Sequence, residues 1–477
     1  MHPRHAHLSR RAAFALLTLV VAFARVDRVA AHDVHVEADT VFQAYEVRSP
    51  GTSAFMTRRR LLQTLGFTYA NPLRDQPDSD GRVPVLTASV RLRLEQDFGD
   101  TCLLARDLCV RATNERDSGV YQPLAQSTLV DLPSAYVDVN GLPYGVLVRA
   151  GRQLTWDSIG FARFDGAFAR AAPLDWIAVE GMVGAVVRDT SLGGSSAFEL
   201  SGVPRLDLGN VDPARVPFVA PPATMRIDGG AIEFGRSAWV RGRIAFRELV
   251  EGEGTVARRF ATGLVTEPIP GLRAQVDGVW DLLDGANIAA AIGASYDTTY
   301  VRVMARAERN VPRFDPGTIW AYFTVAPVSE GRLGATLKPS SNVEVGATLQ
   351  ARHAALGSFG NDVDFGASAD GAWRLGATRF VASGSLWGGD LGPTSSFLLD
   401  ATHALSPFVS LEGRASVWYF DDPLRTNIYG VSLSEMAGVV WKVGEATRVL
   451  AELDHATSRV TGHRFRLMLS LSIGAWR

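Results

Sequence analysis

The sequence has little cysteine, almost no lysine and no long apolar run beyond its first residues. Two cysteines in 477 residues exclude a disulfide-dense scaffold and a cysteine-rich zinc or iron–sulfur framework. Lysine occurs only at Lys338 and Lys442, so the basic side chains are almost all arginine. The formal net charge of −2 does not favour a polyanionic partner, and we expect no nucleic acid. The longest apolar stretch after residue 31, residues 286–294, is too short for a transmembrane helix.

The first residues have the layout of an export signal. Basic residues precede an apolar run over residues 12–24, and small residues follow at positions 29–31. The run is shorter than the roughly 20 residues that cross a bilayer as a helix. We therefore predict a cleaved signal peptide over residues 1–31 and an exported chain over residues 32–477.

Alternation of apolar with polar or small residues fills the exported chain. In residues 86–95 the apolar side chains from Leu86 to Leu94 share one face, while Arg91 and Arg93 lie on the other. The same alternation occurs in many later segments, including residues 343–350 and residues 465–473. A period of two residues is typical of strands with two chemically different faces. The sequence therefore predicts an all-β protein.

Three features favour a membrane-spanning barrel over a soluble sandwich. The segments run to about ten residues or more, the length of a tilted spanning strand. Their polar faces have several charges, which suits a water-filled interior. Aromatic residues gather near segment ends, as in the girdles that meet lipid headgroups. The aromatic residues concerned are Trp176, Trp280, Trp320, Trp373, Trp387, Tyr419, Tyr429 and Trp441.

The segments and their connections predict one closed barrel. We identify about 22 candidate strands, within a range of 18 to 24, from the alternation of the sequence. Short connections such as residues 140–142 and 283–286 should face the periplasm, and long ones such as residues 98–127 and 189–235 should face out. Because backbone groups in lipid must all be paired, the sheet has to close on itself. We expect a single closed antiparallel transmembrane β-barrel over residues 32–477.

Arginines on the polar faces are the candidate selectivity residues. Basic side chains inside a pore favour anions through their local field. Alternatively, they pair with acids of the lumen and brace the wall. The candidate lumen residues are Arg91, Arg93, Arg152, Arg163, Arg241, Arg243, Arg302 and Arg306.

Two of the predicted outer loops contain further candidates. The loop over residues 189–235 would narrow the pore if it folded into the lumen, with Arg205, Asp207, Asp212 and Arg215 as its charges. A surface role in binding or adhesion is the alternative for this loop. In the loop over residues 98–127 we predict a disulfide between Cys102 and Cys109, because an exported chain passes through an oxidising compartment.

One short stretch resembles a known family. Gly151-Arg152-Gln153 and Phe164-Asp165-Gly166, within residues 146–167, look like two consecutive strand motifs of alginate-export-type outer-membrane porins. The longer Trp-rich insertion of that family between the two motifs is absent. The resemblance implies a monomeric barrel of about this size, with an arginine-lined lumen that passes anionic solutes. A strand end with one lumen arginine is the alternative interpretation of the first motif.

The sequence shows no nucleophile elbow, metal-ligand spacing or phosphate-binding loop, so we expect no enzyme, metal or cofactor. We expect a channel in the outer membrane of a Gram-negative-type cell that passes small hydrophilic, or anionic, solutes. One alternative is a polysaccharide-export barrel that works with periplasmic partners. A surface-binding or adhesion barrel with a closed lumen is another. The expected partners are outer-membrane lipid, the barrel-assembly machinery and the solute.

Overall fold

The protein is described by a computed structural model. It describes residues 33–48, 55–73, 83–97, 103–105, 108–110, 128–187, 225–235, 239–311, 327–355, 361–389, 392–421, 429–458 and 462–476. The predicted signal peptide at residues 1–31 lies outside these ranges. No helix in the described residues is both long and apolar enough to cross a membrane.

Long antiparallel strands make up nearly all of the described chain. Alternating apolar and polar residues without helix-forming periodicity favour this structure. In chain order the strands of the wall are β1 (Asp33–Arg48), β2 (Phe55–Pro72), β3 (Val85–Asp97), β4 (Thr128–Leu142), β5 (Val146–Asp157), β6 (Gly160–Leu174), β7 (Ile177–Val186), β8 (Met225–Phe234), β9 (Val240–Glu251), β10 (Gly254–Ile269), β11 (Leu272–Asp281), β12 (Ala286–Asp297), β13 (Val301–Asn310), β14 (Val328–Ser340), β15 (Val343–Ala355), β16 (Asn361–Leu375), β17 (Thr378–Gly389), β18 (Thr394–Ala404), β19 (Val409–Asp421), β20 (Tyr429–Lys442), β21 (Thr447–Ser458) and β22 (Gly462–Trp476). A short hairpin, Leu103–Ala105 with Leu108–Val110, pairs with β2 outside this series.

The sheet closes on itself. Each wall strand pairs antiparallel with the next along the chain, and β1 pairs with β22 from His35↔Trp476 to Tyr45↔Arg466. Closure leaves no free edge, so the backbone groups of the wall are satisfied without water. The expected single closed antiparallel barrel, and the number of 22 wall strands, are confirmed.

The barrel has an apolar outside and a polar inside. Pairing places Val90, Leu92 and Phe67 on one face, and all three side chains are exposed. On the opposite face Arg91 meets the Glu37 carboxylate. Exposed aromatics such as Trp176 and Trp441 lie outward at one end of the barrel, as expected of an interfacial girdle. Trp387 differs from the prediction, because it faces inward under the guanidinium of Arg352.

One predicted strand is displaced relative to the structure. Residues 225–234 form β8, although the sequence assigned them to the loop over residues 189–235. One of the about 22 candidate strands, over residues 318–326, lies outside the described residues. The missed strand reverses the direction predicted for β9 to β13. Residues 282–285 therefore lie at the end of the barrel that has the long connections. The prediction that they face the periplasm is wrong.

The missed strand has an inverted pattern for a physical reason. Ile227 and Met225 point inward and are fully or almost fully buried, whereas Arg226 and Asp228 point outward and form an ion pair. A spanning strand normally shows the opposite arrangement. The inner face of β8 is apolar because another part of the chain packs on it inside the barrel, as described below.

Candidate channel lumen

The interior of the barrel is wide and lined by charge. With 22 strands the lumen is too wide for wall side chains to fill, so an open channel or an internal plug is required. The strands place Arg91, Arg243, Arg302 and Arg306 inward, and each forms an ion pair. Arg93 also faces inward, opposite Asp131 on the next strand.

The most extensive of these contacts is a ring of four charges across β6, β7, β8 and β9. Arg170 contacts Glu180 at 3.0 Å and Glu233 at 2.7 Å. Arg243 contacts the same two carboxylates, at 2.7 Å and 2.6 Å. Each guanidinium thus bridges both acids, so the charges cancel locally. These contacts hold four neighbouring strands together. Because the charges are neutralised, they exert only a weak electric field on an ion in the lumen.

The hairpin of β5 and β6 leaves the wall and enters the lumen. Pairing of β5 with β4 ends at Ala135↔Arg152, and pairing of β6 with β7 ends at Phe164↔Val186. Beyond these positions β5 and β6 pair with each other down to Asp157↔Gly160, and one further hydrogen bond runs from the Val187 N–H to the carbonyl oxygen of Arg163. We call residues 153–163 the inserted hairpin.

Contacts with the inner wall fix the position of the inserted hairpin. Ile159 at its tip packs on Ala231, Ala245 and Ala261, which face inward from β8, β9 and β10. Arg247 of β9 contacts the Asp157 carboxylate at 2.8 Å and donates to the carbonyl oxygen of Gly160 at 3.2 Å. Both side chains of the Arg247–Asp157 pair are almost fully buried. The tip is thus held against the inner face of these nearby wall strands.

An apolar cluster supports the base of the inserted hairpin. Phe164 is fully buried and packs with Met225, Ile227, Leu249 and Ala257 of β8, β9 and β10. Gln153, also buried, donates from Nε2 to the carbonyl oxygen of Gly166 at 3.1 Å. Burial of apolar side chains inside a wet lumen requires a cover, and the inserted hairpin supplies it.

The other face of the inserted hairpin is open. Trp156 is 81% exposed, and Leu154 and Phe161 are each 49% exposed. Since the opposite face packs on the inner wall of β8 to β10, these three side chains face the lumen space. At the hairpin base Arg163 lies 3.6 Å from Asp131, which shares the inner side of the wall with Arg93. The inserted hairpin therefore crosses part of the lumen and narrows it.

Arg152 and Arg163 lie at the base of the inserted hairpin. Both arginines lie on the face of the hairpin opposite to Gln153 and Phe164, the same face as Leu154. Arg152 forms a two-pronged ion pair with Asp165, at 2.7 Å and 2.8 Å. Arg152 thus joins the two strands at the base of the inserted hairpin. Arg163 joins this base to Asp131 of β4. No sequence signal distinguishes such a hairpin from an ordinary turn of the wall.

Cations without an ion pair lie at the end of the barrel that has the short connections. Inward-facing cations without an ion pair in the described chain lie there at Arg241, Arg273, Arg374, Arg379, Lys442 and Arg448. Arg374 is directly opposite Arg379, and Lys442 is directly opposite Arg448. Glu344 and Glu445 lie nearby without an ion pair to them. Arg464 is a similar unpaired cation at the other end of the barrel.

Several predicted features lie outside the residues that the structure describes. The charges of the predicted constriction loop, Arg205, Asp207, Asp212 and Arg215, fall between residues 187 and 225, beyond the described residues. The predicted disulfide of Cys102 with Cys109 falls outside the described side chains. In the described part, no group of three or more metal-ligating side chains comes together.

The direction of the barrel follows from its connections. Residues 98–127 and 311–327 connect strands at one end, whereas the other end has connections such as residues 175–176 and 376–377. Outer-membrane barrels have long loops outside and short turns in the periplasm. The chain is an outer-membrane β-barrel. The unpaired cations described above line its periplasmic mouth.

Comparison with known proteins gives likeness of shape only. No family model matches the sequence, and no curated protein matches it. Among solved structures, OccAB4 of Acinetobacter baumannii is 6% identical with a TM-score of 0.41, and the alignment covers 94% of this chain and 99% of that chain. The outer membrane protein opdK of Pseudomonas aeruginosa is 10% identical with a TM-score of 0.43, at coverages of 94% and 99%. A BenF-like porin of Pseudomonas fluorescens Pf-5 is 9% identical with a TM-score of 0.45, at coverages of 93% and 99%. At these values the likeness assigns neither a family nor a solute.

Proposed function

We propose that this barrel is a channel for small hydrophilic solutes, with a preference for anions. The observation that carries the proposal is a wide, charge-lined lumen that a clamped hairpin narrows. The hairpin crosses part of the space and exposes Trp156, Leu154 and Phe161 to it, so it restricts the size of a solute. A closed barrel of 22 strands leaves an interior of this kind open unless it is plugged.

The preference for anions is based on the periplasmic mouth rather than on the middle of the lumen. The arginines of the inner wall such as Arg243 and Arg306 are neutralised by neighbouring carboxylates, which supports a bracing role for them. At the mouth, Arg374 faces Arg379 and Lys442 faces Arg448 across adjacent strands. Directly opposed like charges destabilise a sheet, and a mobile anion relieves the repulsion. Of the residues singled out in the sequence, Arg241 belongs to this group.

The test of this proposal is the reversal potential across a salt gradient in planar bilayers. For the refolded protein we expect a potential of the sign that marks anion selectivity. The double variant Arg374→Gln/Arg379→Gln should lower the anion-to-cation permeability ratio about two-fold or more, because the local field weakens. Arg464→Gln removes the same kind of charge at the opposite end and is the matched control. Unchanged selectivity in the double variant would overturn the role of the mouth.

Export of an anionic polysaccharide is the second candidate, because of the two motifs that resemble the alginate-export family. In the structure these motifs form the base of the inserted hairpin, with Arg152 paired to Asp165 and Phe164 buried. Their position at the narrowing of the lumen fits contact with a polymer as well as a structural role. Block of the small-ion current by micromolar alginate oligomers would favour this candidate. The absence of block at millimolar oligomer would leave the small-solute channel alone.

A further inference from the structure

The lipid-facing wall has a shallow apolar groove across β11 to β15. Two adjoining depressions of about 690 and 570 Å³ form it, and they share Val276, Ile292, Ala307, Gly331 and Ala351. Alternation and pairing place all of these side chains outward. The groove is thus on the membrane side of the wall, separate from the lumen.

The groove results from small side chains between large ones. Ala305 is paired with Leu333 and Ala294, and Ala307 is paired with Gly331. Ile292, Leu349 and Phe365 rise around them and are each about 60% exposed or more. From Ala305 to Arg309 along β13 the groove extends about 13 Å. Its dimensions suit a flexible hydrocarbon chain.

Three polar side chains lie in one row at the outer end of the groove. Arg309 is directly opposite Ser329, and Ser329 is directly opposite His353. All three line the second depression, together with Trp280. None of the three side chains forms a hydrogen bond or an ion pair in the described part of the chain. The row therefore offers a guanidinium, a hydroxyl and an imidazole to an outside partner.

An arginine on a lipid-facing strand is costly near the middle of the bilayer and tolerated at the interface. Trp280 beside the row marks the headgroup level, where tryptophan is enriched. A guanidinium binds phosphate through two parallel hydrogen bonds, and a hydroxyl and an imidazole at the usual cross-strand spacing add further donors. The head of the groove is thus suited to a phosphate, and its body to an acyl chain.

We propose that this groove is a binding site for a phosphorylated, acylated lipid of the outer leaflet. The phosphate contacts Arg309, Ser329 and His353, and one acyl chain lies along Ala305, Ala307 and Gly331. The charge of the row and the apolar body of the groove together select an anionic membrane lipid over a second copy of the chain. The site does not depend on what the lumen passes.

The experiment is native mass spectrometry of the full refolded protein in detergent micelles with bis-phosphorylated lipid A as the probe. We expect one lipid A retained by the wild-type protein beyond the loosely held ones. The double variant Arg309→Gln/His353→Gln should lower the occupancy at least five-fold. Ala307→Phe, which fills the body of the groove, should lower it as well. Arg464→Gln, which removes an unpaired cation facing the lumen at the same end, is the control and should retain the lipid.

Three results would overturn the proposal. Equal occupancy in the wild-type protein and in the double variant would show that the polar row does not bind the lipid. Equal retention of dephosphorylated lipid A would show that the phosphate is not recognised. An oligomer that disperses on Ala307→Phe substitution would show that a neighbouring barrel covers the groove. A heat-dependent gel shift of each variant verifies that its barrel is folded.

Discussion

Arg247 is the side chain on which the position of the inserted hairpin most depends. It joins β9 to Asp157 and to the carbonyl oxygen of Gly160, deep inside the barrel. Removal of one member of a buried ion pair costs about 3–5 kcal/mol, because the remaining charge is left uncompensated. At the residue scale, therefore, this contact acts together with the packing of Ile159 to hold the tip in place.

The variant Arg247→Gln should release the tip of the hairpin. We expect a larger mean conductance with more current noise, since the tip then moves within the lumen. Single-channel recording of the refolded protein measures both quantities. Arg258→Gln breaks an exposed pair with Glu248 on the outer face and is the matched control. A conductance equal to that of the wild-type protein would contradict the clamp.

Gly151 explains one of the two motifs at the same scale. Its φ of +123° is a conformation that side chains rarely adopt, and a Cβ there would lie 2.3 Å from the carbonyl oxygen of Ala135. Gly151→Ala should destabilise the folded barrel by about 1–3 kcal/mol. Gly181→Ala, where a Cβ meets nothing within 4 Å, should be nearly neutral. Urea midpoints of the two refolded variants measure the difference, and equal midpoints would contradict this account of the motif.

At the scale of elements, alternation predicted the faces of most strands correctly, because a lipid-facing row and a wet row differ in chemistry at every second residue. It failed for β8, whose inner face is covered by the inserted hairpin and is therefore apolar. Alternation alone does not assign a face to Arg152 and Arg163, because a strand that leaves the wall changes what its faces meet. Tertiary cover of this kind has no local signature in the sequence.

At the scale of the whole molecule, the pairing of β1 with β22 was predictable from the lipid environment, since a sheet in lipid cannot keep a free edge. The distribution of charge was not predictable. The sequence shows many arginines on polar faces, but only pairing across strands shows that those of the inner wall are neutralised. Free cations such as Arg374 and Arg379 remain at the periplasmic mouth. In the proposed channel, the hairpin restricts solute size at one depth of the lumen and the cations act on solute charge at another.

The most direct test of the central claim is the single-channel conductance of the wild-type protein beside that of a variant without the hairpin tip. Leu154 and Arg163 are directly opposed, so residues 155–162 can be replaced by an Asn-Gly turn that keeps their register. We predict steady channels for the wild-type protein and a clearly larger conductance for the shortened variant. A folded barrel that stays electrically silent in both forms, or an identical conductance in both, would contradict a channel narrowed by this hairpin.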